Sequence, residues 1–425
     1  MASILRGNCV VAQSGSPSAV ANASLAGVIQ EALQYEEIEE VYGALNGVVG
    51  ILNEDLIDLT EERNKTIEGL KFTPGAALGS CRSRLKPENK EDLARVLEVF
   101  KAHNIRYFFY IGGNDSMETA DKINKAAQEA QYELRVIGVP KSIDNDLSHT
   151  DHCPGYGSAV KFLSTLVMEA GRDTEALATA ETASVIEVMG RHTGWLAAGT
   201  ALAKQGVDEA PHIILAPEIP FHEEKFIGEL AQCLTKNNRA VIVVGEGLRD
   251  GQGKYFSQVG GSFSRDAFER AQLGGVCHVI RRIVEDKVGV KCKTARIGFP
   301  QRVAGHLLSA TDVNDAVLAG QGAVKSAIEG KSGYMVTLKR DSNAPYKCTT
   351  DQAPLLEVAT VERPMPREYF NESGFYPSQA FLDWAKPLIQ GEVAVPFENG
   401  LPKFVRLERH VVDKVCLLRE VPAGA

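Results

Sequence analysis

The feature that most constrains the fold is a repeated order of short apolar runs, each followed by a polar turn and often by a helix-like stretch. Continuous apolar strands that alternate with helices are typical of βαβ units around a buried parallel sheet. We therefore predict an α/β fold whose ligands bind beyond the carboxyl ends of the strands. Strands are predicted at residues 9–12, 107–111, 136–139, 185–188, 212–215 and 241–244, with a long helix from Ser158 and two more strands after residue 331.

Length and composition narrow the class of protein. The chain has 425 residues, which predicts two or three domains, and it has an ordinary globular content of apolar and charged residues. No apolar run approaches the roughly 20 residues that span a bilayer, and the N-terminus reads as a strand rather than a secretory signal. A net charge of −9 argues against nucleic acid or anionic membrane as a partner. We expect a cytoplasmic protein.

The eight cysteines are scattered and form no CxxC pair. A zinc site is therefore poorly supported, and we expect reduced cysteines that pack in the interior.

Two glycine-containing turns are candidate phosphate-binding loops. Gly15 and Ser16 lie in SGSP, between a predicted strand and a helix, where backbone N–H groups attract anions. The sequence GGNDS contains Asn114, Asp115 and Ser116. Asn114 could supply an oxygen to magnesium, whereas Asp115 could instead be a helix cap. An ordinary tight turn remains the alternative for SGSP.

A third turn, PKSIDND, follows the strand at residues 136–139 and places Lys141 beside Asp144 and Asp146. Two carboxylates beside a lysine suit phosphoryl transfer, because one can accept a proton while the other supports a metal. The alternative is a solvated turn rich in Asp and Asn.

Basic residues provide further candidate anion contacts. Arg191 lies in MGRHTG, where it could clamp a phosphate, whereas His192 is expected to pack. Single basic residues usually lie on the surface, but together with the three turns they fit a highly charged substrate. The other basic candidates are Arg82, Arg84, Lys293, Arg296 and Arg302.

Taken in order, SGSP, LGSCRSR, GGNDS, PKSIDND, EVMGRHTG, GEG and GFPQR resemble the phosphofructokinase family. The resemblance implies two similar three-layer α/β domains with mostly parallel sheets that face an active-site cleft. It implies a donor-binding domain at 1–154 plus about 303–360. The sugar-phosphate-binding domain would comprise about 155–302 plus part of 361–425. A homodimer or homotetramer is expected.

The resemblance also assigns roles. Asp144 is implied as the base that takes the proton from the C1 hydroxyl of fructose 6-phosphate, with Lys141 and Asp115 beside it and Mg²⁺ as cofactor. Donor contacts are implied for Gly15, Ser16, Arg82 and Ser116, and metal contacts for Asn114 and Asp146. Sugar-phosphate contacts are implied for Ser142, Ile143, Asp144, Met189, Gly190, Arg191, Glu246, Lys293, Phe299 and Arg302.

The choice of donor depends on Asp115 and Lys141. Family members that use ATP generally carry glycine at both positions, whereas relatives that use pyrophosphate carry aspartate and lysine. An aspartate where the α-phosphate of ATP would lie repels it by about 4 kcal/mol at 4 Å and an effective dielectric of 20. That energy corresponds to roughly a thousandfold in affinity, and pyrophosphate escapes the penalty. We therefore expect reversible phosphoryl transfer from pyrophosphate to fructose 6-phosphate.

Several positions depart from the family pattern and leave alternatives open. Ser16, Asn114 and Ser142 replace a glycine, an aspartate and a threonine. Thr182 replaces an arginine that contacts the neighbouring subunit's substrate, and Phe299 replaces a polar ring. The alternatives are an ATP-dependent phosphofructokinase and a non-catalytic regulatory subunit. A nucleotide-binding dehydrogenase is disfavoured because no GxGxxG follows the first strand.

Overall fold

The computed structural model describes residues 5–81, 85, 90–256 and 274–416, so Arg82 and Arg84 lie outside the described residues. The strands in these ranges are β1 Gly7–Gln13, β2 Ile38–Ala44, β3 Leu56–Asp58, β4 Ile105–Gly112, β5 Arg135–Pro140, β6 Ala183–Val188, β7 Ile213–Leu215, β8 Ala240–Gly245, β9 Cys292–Arg296, β10 Tyr334–Asn343, β11 Tyr346–Pro354, β12 Phe397–Glu398, β13 Leu401–Pro402 and β14 His410–Val411.

The helices are α1 Ala21–Ala32, α2 Val48–Asn53, α3 Asn64–Leu70, α4 Lys90–Ala102, α5 Asn114–Glu129, α6 Tyr156–Ala176, α7 Trp195–Gly199, α8 Glu223–Asn237, α9 Val276–Ile283, α10 Ala310–Ile328, α11 Leu355–Ala359 and α12 Gln379–Ala385. Each predicted strand is confirmed by β1, β4, β5, β6, β7 or β8, and the predicted helix from Ser158 begins two residues earlier as α6. None of the described helices has the length and hydropathy needed to span a bilayer.

The strands form two principal sheets. The larger sheet has the order β11-β10-β5-β4-β1-β2-β3-β14, with parallel pairing from β10 through β2 and antiparallel strands at its edges. The smaller sheet, β7-β8-β6-β9, is parallel throughout. The α/β architecture with mostly parallel sheets is therefore as predicted.

Helices cover both faces of each sheet because the strands bury side chains on both faces. In β1, Val10 and Ala12 pack with α2, α4, α5 and α11, whereas Cys9 and Val11 pack with α1, α3 and α10. The smaller sheet packs against α6, α7 and α12 on one face and against α8 and α9 on the other. Both units thus have three layers, and all eight cysteines are unpaired.

The C-terminal part of the chain contributes to both units. β10 and β11 extend the larger sheet, and β14 pairs with β3 at its opposite edge. α12 instead packs into the core of the smaller sheet. The proposed domain boundaries stay a prediction.

Candidate active site

Three turns of the larger sheet meet at the carboxyl ends of neighbouring strands. β1, β4 and β5 are adjacent and parallel, and Gly112 is paired with Pro140 at the ends of β4 and β5. Lys141 N donates to Gly112 O at 3.1 Å, and Ser14 N donates to Ile111 O at 2.9 Å. The sheet order therefore brings together SGSP, GGNDS and PKSIDND, which are far apart in the sequence.

Lys141 joins the first and third turns. Its side chain is buried, and Nζ donates to the carbonyl of Ser16 at 2.6 Å. Gly15 has a φ of +76°, which favours glycine, and a Cβ there would lie 3.3 Å from Lys141 Nζ. The lysine side chain thus supports the candidate donor loop through the Ser16 carbonyl and places a cation beside that loop.

GGNDS forms the start of α5. The helix begins at Asn114 and is capped by Gly113, so Asp115 is not the N-cap and lies instead in the first helical turn. A carboxylate at this position is favoured by the helix dipole. Ser116 is buried, and a Cβ at Gly112 would lie 2.0 Å from its hydroxyl oxygen, so only glycine fits there.

The turn that follows β5 carries the candidate catalytic carboxylates, and we call its residues 141–151 the catalytic loop. Ser142 Oγ donates to Asp146 Oδ1 at 2.6 Å and accepts from the backbone N–H of Asp144 at 3.2 Å. Asn145 is fully buried with a φ of +55°, and its Oδ1 accepts from Cys153 N at 2.9 Å. These bonds fix the Asp146 carboxylate and the backbone that carries Asp144.

Residues 189–194 follow β6 of the smaller sheet and meet the catalytic loop. Because they include candidate contacts to the sugar phosphate, we call them the sugar loop. Thr193 Oγ1 donates to Asp144 O at 3.0 Å, which ties the two loops together. Met189 N donates to Gln301 Oε1 at 3.0 Å, and Gly247 N donates to Gly190 O at 3.1 Å. The motifs MGRHTG, GEG and GFPQR therefore meet at one edge of the smaller sheet.

The pKa values of Asp144 and Lys141 are shifted by burial and by the charges of neighbouring residues. Burial, together with the charges of Asp146 and Glu246, raises the pKa of Asp144 to about 7. Burial also lowers the pKa of Lys141 to about 8, against the opposing charges of Asp146 and Asp144. The positive charge of Arg302 also lowers the pKa of both groups. A carboxyl with a pKa near 7 suits a general base at neutral pH.

Glu246 titrates in the same range. Burial and the charge of Glu187 raise the pKa of Glu246 to about 7, and Arg191 and Arg296 oppose the shift. The candidate sugar-binding carboxylate therefore lies near two arginines. Burial likewise raises the pKa of Asp146, although the hydrogen bond from Ser142 opposes it.

The described residues contain no group of three or more His, Cys, Asp or Glu side chains that could hold a metal by themselves. Mg²⁺ commonly uses only one or two protein carboxylates and takes its other ligands from water and substrate phosphates. Asn114 Oδ1 is a buried oxygen that has no hydrogen-bond partner in the described part of the chain. This oxygen and the Asp146 carboxylate are of the ligand type that Mg²⁺ prefers.

Not every predicted residue reaches this site. Lys293 Nζ forms salt bridges with Asp173 at 2.7 Å and Glu181 at 2.8 Å, at the amino end of β9. Within one chain, Lys293 therefore does not join the other sugar-phosphate candidates. Phe299, at the start of the short helix Phe299–Arg302, is 66% exposed. Ile143 is buried, and its side chain packs in the core of the smaller unit.

Sequence reasoning overlooked residues that support the loops. Gln301 is buried between Met189 and Gly298, and it lies inside a motif that could have indicated it. Glu362 and Arg363 lie in the C-terminal region, where the sequence suggested no chemistry. Glu362 accepts from His192 Nδ1 at 2.7 Å, and Arg363 contacts the catalytic loop. No local sequence signal marks either residue.

A buried lysine beside two carboxylates, next to a loop that carries an arginine, is the arrangement expected of a phosphoryl-transfer enzyme that acts on an anionic substrate. The chain belongs to the phosphofructokinase family, since the family model "Phosphofructokinase" matches residues 8–327.

Its relatives extend over nearly the whole chain. It is 42% identical to the pyrophosphate–fructose 6-phosphate 1-phosphotransferase of Halomonas elongata, across 96% of this chain and 97% of the relative. The pyrophosphate-dependent phosphofructokinase structure from Nitrosospira multiformis is 39% identical with a TM-score of 0.89, covering 97% of this chain and 99% of that one. The corresponding structure from Marinobacter aquaeolei is 40% identical with a TM-score of 0.88, covering 98% and 100%.

Proposed function

We propose that this enzyme transfers a phosphoryl group from pyrophosphate to the C1 hydroxyl of fructose 6-phosphate, which yields fructose 1,6-bisphosphate and phosphate. The observation that carries the proposal is the convergence of Asp115, Lys141 and Asp144 at adjoining strand ends. The names of the relatives, which cover nearly the full chain, support the same donor and acceptor.

In the proposed reaction, Asp144 accepts the proton of the C1 hydroxyl while the C1 oxygen attacks the nearer phosphorus of pyrophosphate. The bond from that phosphorus to the bridging oxygen breaks, and phosphate leaves. Lys141 offsets negative charge on the transferred and departing groups. Bound Mg²⁺, held by Asn114 and Asp146, would neutralise phosphate charge. The anhydride broken and the ester formed are closer in energy than with ATP, so the reaction runs in both directions.

Arg191, Glu246 and Arg302 are proposed to bind the sugar phosphate, with Ser142, Ile143, Met189 and Gly190 shaping that side of the site. Bidentate guanidinium groups match phosphate oxygens, and a carboxylate accepts from sugar hydroxyls. Gly15, Ser16, Arg82 and Ser116 are proposed on the donor side. Phe299 stays a proposed substrate contact through its exposed ring.

The oligomeric state and the cellular compartment of the protein are two further proposals. We propose a homodimer or homotetramer, as the resemblance to the family implies, and light scattering would measure it. Eight unpaired cysteines fit a reducing compartment such as the cytoplasm.

The deciding experiment is a side-by-side donor assay of the purified chain with fructose 6-phosphate and Mg²⁺. We expect turnover with pyrophosphate and at least a hundredfold lower kcat/KM with ATP. Robust turnover with ATP and none with pyrophosphate would replace this proposal with the ATP-dependent reaction. Absence of turnover with both donors, while fructose 6-phosphate still binds, would identify a regulatory subunit.

A further inference from the structure

A single arginine from the C-terminal region supplies hydrogen bonds to the catalytic loop. Arg363 Nε and Nη2 donate to Asn145 O at 3.3 and 3.1 Å. Its Nη1 donates to Asp151 O at 2.9 Å and to Thr150 O. The backbone N–H of Arg363 donates to Asp146 O at 2.8 Å. One residue therefore contacts four carbonyls of this loop.

These contacts supply hydrogen-bond donors to backbone carbonyls of the catalytic loop. The catalytic loop has isolated bridges at Ser142 and Leu147 but no regular helix or strand, so no regular ladder of backbone donors serves the four carbonyls that Arg363 contacts. Buried carbonyls left unpaired cost about 1–3 kcal/mol each. A guanidinium with five N–H groups in a rigid plane can serve several carbonyls together, which a lysine ammonium cannot do with the same geometry.

Arg363 also contacts the smaller unit. Its guanidinium lies 4.8 Å from the ring centroid of Trp195, and its carbonyl accepts from Trp195 Nε1 at 3.0 Å. Trp195 begins α7, directly after the sugar loop. Arg363 therefore fixes the carbonyls next to Asp144 relative to the element that carries the sugar loop. It lies beyond residues 8–327, the region that the family model covers.

We propose that Arg363 is a positioning residue that sets the distance between the Asp144 carboxylate and the sugar bound at Arg191. It acts through the loop backbone, without touching substrate. The inference rests on the proposed function, because Asp144 must act on a bound sugar. A displacement of about 1 Å at a reacting group can cost about a hundredfold in rate.

The test compares Arg363→Lys with Arg340→Lys, a matched control. Arg340 is partly buried, like Arg363, and it bonds the Asp151 side-chain carboxylate at 2.7 Å and Trp384 O, but it does not contact the carbonyls beside Asp144. For Arg363→Lys we expect kcat to fall about 10- to 100-fold, while calorimetric Kd values for fructose 6-phosphate and pyrophosphate change less than threefold. Arg340→Lys should lower the thermal midpoint similarly and keep kcat within twofold of wild type.

Two outcomes overturn the inference while wild type remains active. The first is a kcat for Arg363→Lys within twofold of wild type. The second is an equal loss of kcat in both variants, which would indicate general loosening of the core. An inactive wild type would instead contradict the proposed function. If Arg363→Lys does not fold, Arg363→Gln keeps two donors and is assayed against Arg340→Gln under the same criteria.

Discussion

At the scale of single residues, Asp144 carries the proton transfer in the proposed reaction. Burial and neighbouring carboxylates raise its pKa to about 7, so it is substantially ionised at neutral pH and can still accept a proton. We predict that Asp144→Asn lowers kcat by about 10²–10⁴-fold, the usual contribution of a general base. Steady-state kinetics should show KM values within a few-fold of wild type. Near-normal turnover would remove Asp144 from this role.

Donor choice is also a residue-scale question. Lys141 Nζ donates a hydrogen bond to the Ser16 carbonyl, and Asp115 lies in the adjoining first turn of α5. In the double variant Asp115→Gly with Lys141→Gly, the donor loop loses that support and the like-charge barrier to a nucleotide is removed. We predict at least a tenfold lower kcat/KM for pyrophosphate and a measurable gain with ATP. Unchanged pyrophosphate kinetics would contradict the donor argument.

At the scale of elements, the turn after β8 packs directly on the sugar loop. A Cβ at Gly247 would lie 1.8 Å from Arg191 O, which is impossible without a backbone shift. We predict that Gly247→Ala displaces Arg191 and raises KM for fructose 6-phosphate about tenfold, equivalent to about 1.4 kcal/mol. KM for pyrophosphate should change little because the donor turns belong to the other sheet.

Gly228→Ala is the matched control for that measurement. Gly228 lies on α8, and a Cβ there meets no atom within 4 Å. Alanine in a helix interior stabilises by about 0.5–1 kcal/mol, so this variant should be slightly more stable with unchanged kinetics. A KM for fructose 6-phosphate equal to wild type in Gly247→Ala would show that the sugar loop tolerates displacement.

Local patterns explain which elements the sequence could predict. β1, β4, β5, β6 and β8 are short apolar runs that end at polar turns, and burial on both faces makes that pattern strong. The role of Lys293 could not be judged locally. At about 3.3 Å per residue, the second position of β9 is roughly 10 Å from the strand's carboxyl end. A motif that spans a strand therefore does not place all its residues in one site.

Long-range pairing explains what sequence reasoning overlooked. Arg363 follows Asn145 by more than 200 residues, and nothing in VERPMP indicates that its guanidinium bonds the catalytic loop. The same holds for Glu362, which meets His192 across a separation of 170 residues in the chain. Such contacts depend on the complete topology, whereas the turns that bear Lys141 and Asp144 are visible from neighbouring residues.

At the scale of the whole molecule, a buried charge network joins segments that are distant in the chain. His152 bonds the carboxylates of Asp151 at 2.8 Å and Asp315 at 3.0 Å, and Asp315 also accepts from Tyr346. Arg340 completes the network by pairing with Asp151. The end of the catalytic loop and the residue that follows it are thereby bonded to α10, β10 and β11, which lie far downstream in the sequence.

The network predicts a pH-dependent stability. Burial lowers the pKa of His152, but Asp151 and Asp315 raise it to a net value above the ordinary one. A histidine whose pKa is raised in the folded state contributes stability that is fully present below about pH 6.5, the unfolded-state pKa. That stability is lost as the pH rises through the folded-state pKa.

His152→Gln should therefore destabilise the protein most at pH 5.5, by about 2 kcal/mol, and progressively less toward pH 9.5. Urea denaturation of both proteins across that range measures the difference. His149→Gln, at an exposed histidine three residues earlier, should change stability little at any pH. A loss in His152→Gln that is the same from pH 5.5 to 9.5 would show that the histidine is neutral in the folded protein, and that the network is held by hydrogen bonds without its charge.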